Sequence, residues 1–346
     1  MTTIRDVAEK AGVATMTVSR VINDSGYVSE ETRAKVEAAI LELGYVPNML
    51  GPSLRFNQTK TLALIITDIT NPFWTTVARG AEDAAREEQY NVILCNTDES
   101  AEKQDQYVDM LLKRRTDGIL LVPASDSPEA VKLMRSQDVA VVILDRRLSD
   151  VDSIDSVRSD SFGGAYTLAR HLTDLGHEHI AILSGPRNIS TSVERVEGFT
   201  QAMLDAGLPH NLERVFWGEY NESIGFDSAW RALRQEPRPT ALLAANNFIA
   251  NGALRALAQA GLTVPADVSI VSFDDFPENI NPSPFLTVVA QPAYEMGYRA
   301  AQLLLARLAG NGSEDFQEII LPTTLVMRKS TAPPKSAGVW TASSVL

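Results

Sequence analysis

Cysteine is nearly absent from this chain. The single Cys95 excludes an internal disulfide framework and suits a reducing compartment. Long apolar runs are missing as well. L-A-L-I-I (Leu62 to Ile66) and I-L-L-V-P (Ile119 to Pro123) have the length of strands, far short of a membrane span. No basic, apolar leader opens the sequence, so a cytoplasmic protein with no membrane partner is expected. Histidine is sparse, and His171, His177, His179 and His210 form no compelling metal-ligand pattern. His177 and His179 sit in G-H-E-H-I, which reads as a structural turn entering a strand. No GxGxxG follows the first apolar run, and no GxxxxGK[ST] occurs anywhere. Ser184-Gly185 lacks the G-x-S-x-G frame of a nucleophile elbow. These absences argue against an enzyme, and no cofactor or metal site is expected.

At 346 residues the chain has room for more than one core. Its net charge of −13 argues at first against nucleic acid. The distribution alters that. Residues 1–60 hold seven basic and seven acidic side chains, so the whole excess lies beyond them. A neutral head sits on an acidic body that disfavours indiscriminate contact with phosphates.

The head carries the most specific pattern. Ile4, Val7, Ala8 and Ala11 recur at helical spacing, with Thr3 as N-cap and Asp6 in a box-like position. Gly12 stands where the chain must turn sharply. A second helix is expected from Thr15 to Asn23, burying Val18 and Val21. A third runs from Glu30 to Leu43, capped by Ser29, stopped by Gly44, and lined inside by Thr32, Val36, Ala39, Ile40 and Leu43. Ala-x3-Gly-x5-Val-x2-Val is the spacing of a compact helix-turn-helix. Three helices packed for their own sake would satisfy the inner pattern alone. The outer face of the second helix adds Thr15, Met16, Thr17, Ser19 and Arg20: short hydroxyls, a partner for a thymine methyl and a reader of guanine.

T-I-R-D-V-A-E-K-A-G-V-A-T-M-T-V-S-R-V-I-N and V-S-E-E-T-R-A-K-V-E-A-A-I-L-E-L-G-Y-V-P-N resemble the start of the LacI/GalR family of bacterial transcription regulators. The resemblance implies base contacts from Thr15, Met16 and Arg20, with Ser19, Thr17 and Asn23 touching backbone or supporting the helix. Ala14 departs from the family's usual serine, which removes a hydroxyl cap worth about 1 kcal/mol. Either Thr15 takes over that cap, at the expense of base reading, or the helix starts uncapped.

Residues 46–60 match the family's hinge, which becomes helical on DNA. Leu54 aligns with the leucine that wedges into the minor groove, and Arg55 follows as a phosphate partner. Gly51 and Pro52 replace the usual Ala-Arg. Either the hinge helix begins near Pro52, where a first-turn proline is tolerated, or its ordering is impaired.

From Leu62 apolar runs of strand length alternate with helices. The first series is L-A-L-I-I-T, N-V-I-L-C-N, D-G-I-L-L-V-P and V-A-V-V-I-L-D; the second is I-A-I-L-S-G, V-F-W-G-E-Y, A-L-L-A-A-N and S-I-V-S-F-D. Continuous apolar strands between helices indicate parallel sheets covered on both faces. Two series suggest two doubly wound lobes. Ligands bind at the carboxyl ends of such strands. There the sequence places Asp68, Asn71, Phe73, Trp74, Asp145, Arg146, Ser190, Thr191, Arg195, Tyr220, Asn246, Asn247, Asp274, Asp275 and Gln291. Carboxylates, amides, arginine and several rings form a set suited to a sugar, and a nucleobase or nucleoside would use the same groups. For Asp68 and Asp275 the plainer reading is a helix cap. For Phe73 it is a staple of helix to sheet, and for Arg195 with Asp274 a structural ion pair.

The body also resembles that family, through D-I-T-N-P-F, R-R-T-D-G-I-L-L, G-P-R-N-I-S-T-S-V-E-R-V-E-G-F, R-P-T-A-L-L-A-A-N-N and V-P-A-D-V-S-I-V-S-F-D-D. It implies that Phe73, Asp145, Arg195, Asn246 and Asp274 face an effector, with Trp74, Tyr220 and Gln291 nearby. Asn247 departs from the usual Asp of an N-D pair, which would alter effector choice or a lobe contact. The expected fold is an all-α helix-turn-helix head joined by a hinge to an α/β two-lobed body like a periplasmic binding protein. The head takes residues 1–46, the hinge 47–60, the body 61–330 and the tail 331–346. Lobe one takes about 61–160 and 292–320, lobe two about 161–291 and 321–330. The expected function is a homodimeric repressor that binds a near-palindromic operator and answers to a small polar effector. A stand-alone sugar-binding or transport module, and a regulator with a phosphoprotein co-effector, are the competing readings. Whether effector releases or promotes DNA binding stays open.

Overall fold

The computed structural model describes residues 2–46, 58–151, 153–276, 284–313 and 315–335. It divides into two units, Met1–Thr59 and Lys60–Leu346.

In the first unit, α1 spans Ile4–Ala11, α2 Thr15–Ile22 and α3 Glu30–Leu43. The capping box forms as the sequence suggests: the Asp6 backbone donates to Thr3 Oγ1, and the Asp6 carboxylate accepts from Thr3 N at 2.7 Å. Gly12 and Gly44 end their helices at φ 67° and 56°, the left-handed region where a Cβ is penalised. Ser29 accepts from Thr32 N and starts α3. Val7, Ala8, Val18, Val21, Val36 and Ala39 form the buried centre. The cap of α2 is Ala14, and no side chain caps this helix. Thr15 is already inside the helix and does not substitute. The helix ends at Ile22, one residue short of the expected Asn23.

The second unit holds two six-stranded sheets. In lobe one the strands are β1 (Thr61–Ile66), β2 (Asn91–Asn96), β3 (Gly118–Leu121), β4 (Ala140–Leu144), β5 (Asp155–Ser159) and β11 (Glu318–Leu321). Their order is β11-β5-β4-β3-β1-β2, all parallel. In lobe two they are β6 (Ile180–Leu183), β7 (Val215–Phe216), β8 (Ala241–Ala244), β9 (Ser269–Phe273), β10 (Thr287–Ala290) and β12 (Thr324–Val326). Their order is β12-β10-β9-β8-β6-β7, parallel except β12. The central strands are apolar throughout because helices cover both faces. On lobe one, α4 (Pro72–Glu87) and α11 (Ala293–Leu308) cover one face, α5 (Ala101–Lys113) and α6 (Glu129–Ser136) the other. On lobe two, α7 (Ser161–Asp174) and α8 (Ser190–Asp205) oppose α9 (Glu222–Leu233) and α10 (Asn247–Gln259). The chain passes between the sheets after β5, after β10 and after β11. None of the helices among the described residues is long and apolar enough to cross a membrane.

Several elements differ from the sequence reading. Only Val215 and Phe216 of V-F-W-G-E-Y pair as strand. The strand β5 has no apolar run to announce it. Its polar residues are buried against distant ions: Asp155 takes a forked contact from Arg307 at 2.6 and 2.9 Å, and Arg158 pairs with Glu318 at 2.7 Å. The helix α11 crosses α4 closely, with a glycine on each side. A Cβ at Gly80 would strike Tyr294 O, and one at Gly297 would strike Val77 O. The body also continues past Ser330. Ala332 donates to Ser269 Oγ at 3.1 Å, and Lys335 pairs with Asp267 at 2.8 Å.

Candidate functional site

The head presents one polar face. On α2, Thr15, Met16 and Arg20 are exposed, while Thr17 and Ser19 are half-buried behind them. Met16 is 64% exposed, an outlay of apolar surface that water does not reward and a thymine methyl would. Asn23 reaches back along the helix, donating to Ser19 O at 2.8 Å and Ser19 Oγ at 3.2 Å, so these two support each other. The turn after α2 is fixed by Ser25 N donating to Arg20 O at 2.9 Å, and Gly26 (φ 74°) lies beside the aliphatic part of Arg20. Leu54, Arg55, Gly51 and Pro52 lie outside the described residues.

The second candidate site is a narrow cleft between the lobes, with about 50 Å³ of free interior space as the lobes stand. Phe73, Trp74, Asp145, Arg195, Tyr220, Asn246, Asp274 and Gln291 all line it. Strand ends put them there. Asp145 follows β4, Asn246 follows β8, Asp274 follows β9 and Gln291 follows β10. Phe73 and Trp74 open α4, and their rings meet edge to face at 4.7 Å. Both rings belong to the lobe-one core as well as to the cleft wall, so Phe73 serves as staple and lining at once. Tyr220 packs on Gly185, where any Cβ would enter its ring, and its hydroxyl accepts from Ser192 Oγ at 2.8 Å.

Four plainer readings of these residues are resolved. Asp68 does not cap α4; Asn71 does, and Asp68 accepts from Thr70 N at 2.8 Å in a local turn while lining the cleft. Asp275 caps no helix among the described residues, and its carboxylate is gripped by both terminal nitrogens of Arg328. Arg195 forms no ion pair with Asp274 among the described residues. Its Nη1 donates to Ala245 O at 2.6 Å and its guanidinium lies 4.1 Å from the Phe273 ring centre. His177 is a buried structural histidine, bonded to Thr240 Oγ1 at 2.8 Å and Ser269 Oγ at 3.1 Å.

The cleft also holds Asn71, Arg146 and Thr191, which the sequence places at strand ends without an effector role, and Thr67, Glu99 and Phe248, which it does not single out. Arg146 and Glu99 form a forked pair with both bonds at 2.6 Å, and Arg146 Nη1 also donates to Pro123 O at 2.7 Å. Arg146 follows the fourth strand together with Asp145, as the sequence places it. Glu99 lies in a loop with no motif.

Charge in the cleft is tightly confined. Burial pushes the Asp145 carboxyl above the ordinary carboxylate range, while Arg195 and Arg146 pull it back. Burial raises Asp274 likewise, against Arg195 and a hydrogen bond donated by Gln291. Asp145 Oδ1, Gln291 Oε1, Thr67 Oγ1 and Arg195 Nε are buried without a hydrogen-bond partner among the described residues. Such atoms cost about 1–3 kcal/mol each until a partner arrives. Two of them, Asp145 Oδ1 and Gln291 Oε1, accept only, so the arrangement favours a molecule bearing O–H or N–H donors. No cluster of His, Cys, Asp or Glu among the described residues has the form of a metal site.

Known proteins match the chain over nearly its whole length. Residues 3–48 match the model of bacterial regulatory proteins, lacI family, and residues 59–329 that of periplasmic binding proteins and the sugar binding domain of the LacI family. The chain is 36% identical to the HTH-type transcriptional repressor PurR of Proteus mirabilis (strain HI4320), over 96% of this chain and 97% of that protein. Among solved structures it resembles the lac repressor dimer bound to operator and the anti-inducer ONPF, with TM-score 0.83 and 30% identity over 96% and 99% of the two chains. A LacI family transcriptional regulator from Enterococcus faecium with bound ribose gives TM-score 0.71 and 32% identity over 80% and 100%.

Proposed function

The chain belongs to the LacI family of bacterial regulatory proteins and is a DNA-binding transcriptional repressor, and we propose that it answers to a neutral, hydroxyl-rich effector of the sugar class. The observation that carries the effector reading is the make-up of the inter-lobe cleft. Two buried carboxylates and Gln291 offer acceptors, Arg195 and Asn246 offer donors, and the Phe73, Trp74 and Tyr220 rings supply apolar faces. Vicinal hydroxyls, each donor and acceptor, satisfy such a lining from both lobes at once.

In this reading a homodimer places two heads on a near-palindromic operator. Thr15, Met16 and Arg20 read bases in the major groove, with Thr17, Ser19 and Asn23 in support. Leu54 and Arg55 act at the operator centre through the hinge. Effector in the cleft shifts the population of lobe arrangements, by no more than its differential affinity for them.

A thermal-shift screen of neutral sugars, with nucleobases and nucleosides beside them, tests the effector class, since ligands of the native state raise its melting point. A neutral sugar is expected to stabilise the protein and to change its affinity for operator DNA. A purine base is the second reading, favoured by the likeness to repressors named PurR. Stabilisation by purine bases alone would replace the first reading with it.

A further inference from the structure

Two buried asparagines meet between the lobes, one from each. Asn71 Nδ2 donates to Asn247 Oδ1 at 3.2 Å, and Asn247 Nδ2 donates to Asn71 Oδ1 at 2.9 Å. The pair is 5% and 0% exposed. Each amide oxygen is shared in the same way. Asn71 Oδ1 also accepts from Phe73 N at 3.1 Å, and Asn247 Oδ1 from Phe248 N at 2.8 Å. The pair therefore joins the first turns of α4 and α10, the helices that carry Phe73, Trp74 and Phe248 on the cleft wall.

We infer that Asn71 and Asn247 form a neutral clasp that holds the lobes together without effector, and that they position the cleft walls for recognition. Both side chains must be amides for the two bonds to run in opposite directions, because a carboxylate at either place has no hydrogen to give. Both bonds vanish when the lobes separate, so their contribution belongs to the closed arrangement alone. A second, exposed hydrogen bond also joins the lobes, from Arg147 N to Ser190 Oγ at 2.8 Å. Glu194 of lobe two also pairs with Arg147 at 3.2 Å and with Arg158 at 3.6 Å, so the clasp is the neutral one among several ties, and an effector must enter through an opening that breaks it. The inference adds a resting state to the proposed function and does not depend on which effector is right.

The test uses the full chain without any ligand. Asn71→Ser, Asn247→Ser and the double variant keep side chains that suit a helix start, where serine ranks with asparagine as a cap. A serine is too short to restore the clasp. Small-angle X-ray scattering at matched concentration reads the separation of the lobes. Each single variant removes both hydrogen bonds. All three are therefore expected to show the same shift to a larger radius of gyration than the parent, with no further increase in the double variant. Scattering identical to the parent from folded variants, or shifts that add in the double variant, would overturn the clasp. Should one single variant fail to fold, the other reports the same loss by itself.

Discussion

Asp145 and Asp274 stand at matching places in the two lobes. Each follows the strand third in its sheet order, β4 and β9, and each adopts a left-handed backbone, at φ 63° and 65°. Each donates its N–H to the neighbouring strand, to Val157 O at 2.9 Å and to Val289 O at 3.0 Å. The same corner of one architecture is used twice, so the cleft receives one buried carboxylate from each side. Arg195 is the cation that most lowers both.

That pairing has a consequence for stability. Burial holds both carboxyls above their ordinary range. Their contribution to folding is therefore fully present below about pH 4, the unfolded value, and is lost as pH rises through the raised folded values. The double variant Asp145→Asn, Asp274→Asn is expected to melt above the parent at about pH 8, with the gap closing as pH falls toward 5. Thermal melts of ligand-free protein across that range check it. A gap independent of pH would show that ionisation is not the cause.

Asp274→Ala should separate the two activities of the chain. Effector response is expected to disappear while operator affinity stays within about twofold of the parent, since surface and cleft changes far from a second site act nearly independently. Fluorescence anisotropy of labelled operator, with and without the sugar found by thermal shift, measures both. A normal effector response would remove Asp274 from the recognition set.

Arg20→Ala tests base reading by α2. The expected cost is about 1–3 kcal/mol at one base pair of each half-site, with relaxed preference there. Affinities for a set of single-base operator variants decide it. Uniform weakening on every sequence would assign Arg20 to phosphate instead.

Ala14→Ser should stabilise the head. Ala14 already has the extended backbone of a cap, at φ −69° and ψ 149°, but offers no acceptor to the first turn of α2. A serine hydroxyl there is expected to add about 0.5–2 kcal/mol. Hydrogen exchange of the α2 amides reads the gain, and unchanged protection would count against it.

Gly297→Ala should weaken lobe one. The new methyl meets Val77 O on α4, and backbone cannot step aside as a side chain can. Overpacking of this kind costs about 1–3 kcal/mol. Urea unfolding is the measure, and a midpoint equal to the parent's would mean that the two helices can separate without loss.

The head was legible because its contacts are short in sequence. Thr3 with Asp6, Ser29 with Thr32 and the turns at Gly12 and Gly44 lie within a few residues, where spacing and backbone conformation announce them. The eight cleft residues were legible for a related reason: parallel strands bring their carboxyl ends to one edge, so polar residues ending apolar runs must converge. Tertiary structure alone decided the rest. Asn71 meets Asn247 across 176 residues, Glu99 meets Arg146 across 47, and Asp155 meets Arg307 across 152. None of these pairs has a period or a motif, because burial of a polar side chain is compensated by a distant partner and leaves no hydrophobic pattern. The identity of the protein as a repressor with a cleft between two lobes was thus set by local sequence. How the closed cleft is held, and which charges share it, was set by packing of segments that the sequence keeps far apart.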